Sequence, residues 1–133
     1  MNTQPVSVII IESQHLMLAA LSTALSAEGM TVLAELTESK CAMETVQKLN
    51  PNLILFSVSH PSLGELQRLS ALRQAFPSIL ILALITGEFR GQEQSALDSG
   101  AHTVVTKSAP RSELLKAIKQ LMKFQFTDSL STH

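Results

Sequence analysis

Apolar residues fall along this chain in five short blocks. They are VSVIII (Val6 to Ile11), TVLAEL (Thr31 to Leu36), LILFSV (Leu53 to Val58), ILILALI (Ile79 to Ile85) and TVVT (Thr103 to Thr106). The first, third and fourth are nearly continuous in β-branched residues and leucine. Strands buried on both faces read this way, so these three are expected at the centre of a sheet. TVLAEL is more mixed and fits an edge.

Between the blocks the period changes to that of a helix. Leu18, Leu21 and Leu25 share one face, and Gly29 closes that segment. Ala42, Val46 and Leu49 recur at four and three, and Asn50-Pro51 ends the helix. Leu66, Leu69, Leu72 and Phe76 form a third stripe before Pro77. Gln92 to Ser99 is short and closes on Gly100. Leu114, Ile118 and Leu121 make the last stripe, with Pro110 near its start. Each stripe is read as core packing.

Five alternations of strand and helix define an α/β protein with a parallel sheet between helix layers. In such sheets the functional crevice lies beyond the carboxyl ends of the strands. The residues expected there are Glu12 and Ser13, Ser57 to Ser59, Ile85 and Thr86, and Lys107. No repeat or low-complexity segment interrupts the pattern. The 133 residues suit one domain with one core. Its expected extent is residues 1–123. Residues 124–133, FQFTDSLSTH, read as a loose C-terminal tail or the start of a linker.

Composition narrows the function. The chain is 45% hydrophobic and 16% charged with net charge −1, so no bulk charge draws it to nucleic acid or to an anionic membrane. With no Trp or Tyr and only five Phe, it lacks the aromatics of a base-stacking platform. Cys41 is the only cysteine, which excludes an intrachain disulfide and a thiolate metal site. VSVIII is too short to span a membrane, and the first residues do not form a signal peptide. The expected setting is soluble and cytoplasmic, without membrane partners.

The stretch PNLILFSVSHP, Pro51 to Pro61, raises the central question. It reads as a buried strand that delivers Ser57 to a loop. Its layout resembles the receiver domain of bacterial response regulators, most closely the receivers of LuxR-type transcription regulators. The resemblance covers roughly residues 5 to 123. It rests on IIIESQH, where the family has an acidic pair after the first strand, and on PNLILFSVSHP, where the family carries its phosphoacceptor aspartate with a proline four residues on. The clearest match is SALDSGAHTVVTKSAPRSELLKAI, with its Gly-Ala pair, strand and terminal lysine. The resemblance implies a flavodoxin-like, doubly wound five-stranded parallel sheet in the order 2-1-3-4-5, flanked by five helices. It also implies signalling rather than enzymatic turnover. In the family, the aspartate and two acids hold Mg²⁺, and a lysine and a Ser or Thr meet the phosphoryl group.

This sequence departs from that set at most positions. Ser57 takes the phosphoacceptor's place, and the acidic pair is Glu12 and Ser13. Ungapped alignment sets Ile85 at the Ser/Thr switch, and a one-residue shift would set Thr86 there. Val104 takes the switch aromatic's place, and Lys107 alone is intact. A serine hydroxyl is a weak nucleophile unless a base activates it, and one carboxylate makes a poor Mg²⁺ site. The expectation is a degenerate pocket with no catalytic residue, no cofactor and weak or absent Mg²⁺ binding. Lys107 is expected to turn to Glu12 or to solvent, as a partly exposed pair worth little.

The expected function is that of a pseudo-receiver acting by protein contact, as a homodimer and on an output domain of LuxR type or another signalling protein. A stand-alone adaptor and a receiver that senses a small ligand are the alternatives. A Ser57–Lys107 nucleophilic pair ranks below both, since no oxyanion hole accompanies it. Glu12, His15 and His60 share one edge, but without a metal-ligand spacing they read as solvated loop residues. His102 is expected to cap the last strand. Lys116, Lys119 and Lys123 line one face of the last helix and read as a solvated stripe. Phe89, Phe124 and Phe126 form the candidate partner surface.

Overall fold

The computed structural model describes residues 5–59 and 63–131, with side chains described for 5–59 and 64–123. The strands are β1 (Ser7–Ile11), β2 (Thr31–Leu36), β3 (Leu53–Val58), β4 (Leu80–Ile85) and β5 (Thr103–Thr106). The helices are α1 (His15–Ala27), α2 (Ala42–Leu49, after a 3-10 turn at Ser39–Cys41), α3 (Leu63–Ala75), α4 (Gln92–Asp98) and α5 (Arg111–Ser131). All strand pairs are parallel, in the order β2-β1-β3-β4-β5. The sheet is thus doubly wound as expected, with TVLAEL on an edge.

Strand periodicity divides the core in two. Ile9, Ile54, Phe56, Ile81 and Ala83 face one side, where Val46, Leu69, Leu72 and Ala96 cover them. Val8, Ile10, Leu55, Leu82 and Leu84 face the other, against Leu18, Leu21, Leu25, Leu114 and Ile118. Every residue of β3 and β4 is buried. Fully sealing one such aliphatic side chain contributes about 1.5–3 kcal/mol, so the two clusters dominate the fold's stability.

The turn before β5 needs its glycine. Gly100 has φ +122°, and a Cβ there would lie 2.6 Å from Cγ of Arg73. A side chain would therefore meet both backbone strain and a clash between α3 and this turn. His102 was expected to cap the last strand, but its side chain serves the neighbouring one: Ile81 N–H of β4 donates to His102 Nδ1 at 3.0 Å, while His102 N–H donates to Ile81 O at 2.8 Å.

One boundary differs from expectation. The backbone after Lys123 continues α5 through Ser131 instead of leaving it as a loose tail. No glycine or proline interrupts residues 111–131, so the chain carries no stop signal there. The side chains of Phe124 and Phe126 lie outside the described residues. No helix among the described residues is long and apolar enough to cross a membrane.

Candidate functional site

Register and side-chain alternation assemble the site at the carboxyl edge of the sheet. Ile11 pairs with Phe56, so the next residues, Glu12 and Ser57, stand level across β1 and β3. Ile85 pairs with Thr106, so Thr86 and Lys107 stand level across β4 and β5. Each of these four lies two residues beyond a position facing α1 and α5: Ile10, Leu55, Leu84 and Val105. Period-2 alternation alone would turn all four toward the α1 and α5 side, and Ser57 departs from it by lining a hollow that Arg68 of α3 shares.

Alternation also resolves the switch position. Ile85 is 3% exposed and packs with Phe56 and Ala83 in the opposite core layer. Thr86 instead lines an open concavity with Ser13, Ser59 and Lys107. The ungapped placement of Ile85 at the pocket is thus corrected to Thr86. Val104, at the aromatic's position, packs half-buried against the same core layer as Ile85.

The charges at this edge are committed to each other. Glu12 is fully buried, and its Oε1 lies 3.0 Å from Nζ of Lys107, whose side chain is 11% exposed. That contact is an ion pair without hydrogen-bond alignment, so charge alone holds Oε1. Oε2 accepts the Gln14 N–H at 2.9 Å. A partly exposed pair of small value was expected, and the pair is buried. The reason is that Glu12 follows a fully paired central strand and its own N–H donates to Leu36 O at 2.8 Å.

Ser57 is 4% exposed, and its Oγ has no hydrogen-bond partner among the described residues. The residue lines a hollow separate from that of Lys107, shared with Ser13, Glu38, Ser39, Glu65 and Arg68. Arg68 donates to Ser39 Oγ there at 3.3 Å. Ser57 and Lys107 are therefore not paired, and Lys107 is held by Glu12. Among the described residues no base is hydrogen-bonded to the Ser57 hydroxyl, as a serine nucleophile needs.

The Mg²⁺ implied by the family does not fit these residues. Mg²⁺ demands six oxygen ligands in near-octahedral geometry, several of them water, and is held by one or two carboxylates that face it. Here Glu12, the acid that follows β1, already meets an ammonium and a backbone N–H, and Ser13 and Ser57 offer only neutral hydroxyls. The exposed Ser13 Oγ lies 3.3 Å from Ser59 Oγ. No group of three or more His, Cys, Asp or Glu that could hold a metal occurs among the described residues. His15 is exposed at the start of α1, and His60 lies outside the described residues.

One site residue carried no motif. Gln92, the first residue of α4, is 6% exposed and hydrogen-bonds Thr86 and Gly87. Its spacing was the available signal, because Gln92 and Ala96 are four apart and Ala96 is fully buried. An amide on a buried helical stripe must find partners. Of the proposed contact residues, Phe89 is 47% exposed. Lys116, Lys119 and Lys123 are all exposed, and Lys119 approaches Glu28 at 3.8 Å.

With this geometry in place the comparisons are direct. The chain belongs to the response regulator receiver domain family, whose profile matches residues 8–119. It is 31% identical over 113 residues to the DNA-binding transcriptional activator EvgA of Escherichia coli K12, covering 84% of this chain and 54% of EvgA. It spans about half the length of the curated relatives it matches. A DNA-binding response regulator of the LuxR family from Staphylococcus aureus superposes with TM-score 0.77 at 23% identity, covering 86% of this chain and 97% of that one. A CheY-like receiver domain from Methanospirillum hungatei gives TM-score 0.83 at 18% identity, covering 94% and 99%. The fold is that of CheY-like receivers, and the chain is a response regulator receiver domain.

Proposed function

We propose that this domain is a pseudo-receiver, which regulates by protein contact without aspartyl phosphorylation. The observation that carries this reading is the buried Glu12–Lys107 ion pair beside a serine at the phosphoacceptor position. Phosphotransfer in the family needs a carboxylate nucleophile, a metal and a free cation at the phosphoryl group. Among the described residues no base is hydrogen-bonded to Ser57, Glu12 is engaged by Lys107 and the Gln14 N–H, and Lys107 already neutralises a carboxylate. The three features are mutually consistent: the ammonium takes over the counter-charge role of the metal.

The contact mode we propose is a constitutive homodimer through the face of α4, β5 and α5, acting in the cytoplasm on a LuxR-type output domain. Two features support the choice of face. Phe89 is an exposed aromatic beside α4. The alternative, the side of α5 turned to α1, carries Lys116, Lys119 and Lys123, and a two-fold contact there would oppose like charges. The net charge of −1 gives the domain no electrostatic footprint for nucleic acid, so DNA contact falls to the output domain.

Sedimentation of this chain at micromolar concentration, with and without beryllofluoride and Mg²⁺, tests the reading. A dimer under both conditions, with an interface of roughly 1,200–2,000 Å², is expected. A monomer under both removes the dimer. A dimer that forms only with the analogue restores the conventional switch.

A further inference from the structure

The β4–α4 connection is short, yet it is closed by an unusual element for a surface loop, a buried side-chain amide. Gln92 Nε2 donates to Thr86 Oγ1 at 3.0 Å, and Thr86 Oγ1 donates to Gln92 Oε1 at 3.2 Å. Gly87 N–H donates to the same Oε1 at 2.8 Å. Glu88 N–H reaches Thr86 Oγ1 at 3.4 Å. The Gly87 donor requires an oxygen opposite it, which fixes the orientation of the amide. Between the two ends of this clamp run Glu88, Phe89 and Arg90, bounded by Gly87 and Gly91, both at positive φ.

We infer that Gln92 is a latch that fixes the β4–α4 loop and holds the Thr86 hydroxyl away from the Ser57 side of the pocket. Three observations carry this. First, Gln92 is 6% exposed, so its amide forfeits water and depends on these partners. Second, Thr86 sits at the position from which a hydroxyl would serve the pocket, yet its hydrogen bonds run to Gln92 and Glu88. Third, the loop cannot rearrange without breaking the Gly87 and Thr86 bonds together, because one amide makes both. Loop glycines at positive φ permit movement, and the latch opposes it. The latched segment presents Phe89, so the same contacts order the exposed aromatic at the proposed dimer face. The inference concerns the unmodified protein and stands whether or not Ser57 accepts a phosphoryl group.

Amide hydrogen exchange, resolved by residue, tests it in the native chain and in Gln92→Ala. The Gly87 and Glu88 amides are expected to exchange at least about tenfold faster in the variant, since a net hydrogen bond alone is worth several-fold. Amides of Leu82 to Leu84 in β4 are expected to keep their native rates. Thr86→Val breaks the pair from the other side and is expected to speed the same loop amides, whereas Thr86→Ser, which keeps the hydroxyl, restores native rates. Thr86→Val decides the question if Gln92→Ala does not fold. Unchanged loop exchange in either folded variant overturns the latch. So does acceleration of loop and β4 amides in equal proportion, because Gln92 would then support the whole fold and not the loop.

Discussion

The two ends of the sheet treat polar side chains in opposite ways. At the amino end, Asn52 Oδ1 accepts the Ser7 N–H at 2.9 Å, and His102 Nδ1 accepts the Ile81 N–H at 3.0 Å. Both side chains complete the backbone's own hydrogen bonding. At the carboxyl end, Glu12 is bound chiefly to Lys107, and Ser57 Oγ has no partner among the described residues. Folding alone explains the first set, since unpaired strand-end groups must be capped. It does not explain a buried charge and a buried idle hydroxyl, both of which cost free energy on burial. On the proposed reading, the carboxyl end keeps the layout of a chemical site while Glu12 and Lys107 neutralise one another.

Substitutions at the carboxyl end should break this contrast most visibly. Lys107→Ala leaves the fully buried Glu12 without its counter-charge, and breaking a buried pair from one side costs about 3–5 kcal/mol. Urea denaturation should show a loss of that size. A loss below about 1 kcal/mol would mean that Glu12 reaches water and that the pair is an ordinary surface contact. Ser57→Ala should move stability the other way or leave it unchanged, within about 1 kcal/mol, because it removes a buried hydroxyl with no partner. A clear destabilisation would show that the Ser57 hydroxyl is satisfied in solution and belongs with the capping groups.

The amino end supplies the smallest effect, and it is a pH dependence. Burial, and then the charge of Arg73, lower the pKa of His102 from 6.5. The unfolded chain then binds this proton at higher pH than the folded one. The contribution of His102 is fully present above about pH 6.5 and is lost as pH falls through the lowered folded value. The sign agrees with the geometry, because Nδ1 can accept the Ile81 N–H only while unprotonated. Denaturation midpoints from pH 7.5 down to 5.5 should fall more in the native chain than in His102→Gln. Parallel curves would remove His102 from the account.

The difference between the two ends also explains what could be read from the chain. The apolar blocks gave the five strands because β1, β3 and β4 are buried on both faces, with Ser7 and Ser57 their only polar residues. The carboxyl-edge positions of Glu12, Ser57, Thr86 and Lys107 followed from where those blocks stop. Burial of the ion pair was not legible, since a loop-end glutamate and lysine look solvated until the sheet sets them side by side. Gln92 was missed for a related reason: its partners, Thr86 and Gly87, lie across a turn and no motif links them. The choice left open between Ile85 and Thr86 could have been narrowed by strand parity, which sets Ile85 in the core and Thr86 at the concavity.

The central claim is that this pocket no longer takes up a phosphoryl group. The direct measurement is the intact mass of the protein after incubation with acetyl phosphate and Mg²⁺, beside a parallel sample without donor. An unchanged mass is the predicted result, because no base is hydrogen-bonded to Ser57 among the described residues and Glu12 is engaged by Lys107 and the Gln14 N–H. A stoichiometric phosphoryl adduct mapped to Ser57 would contradict the account.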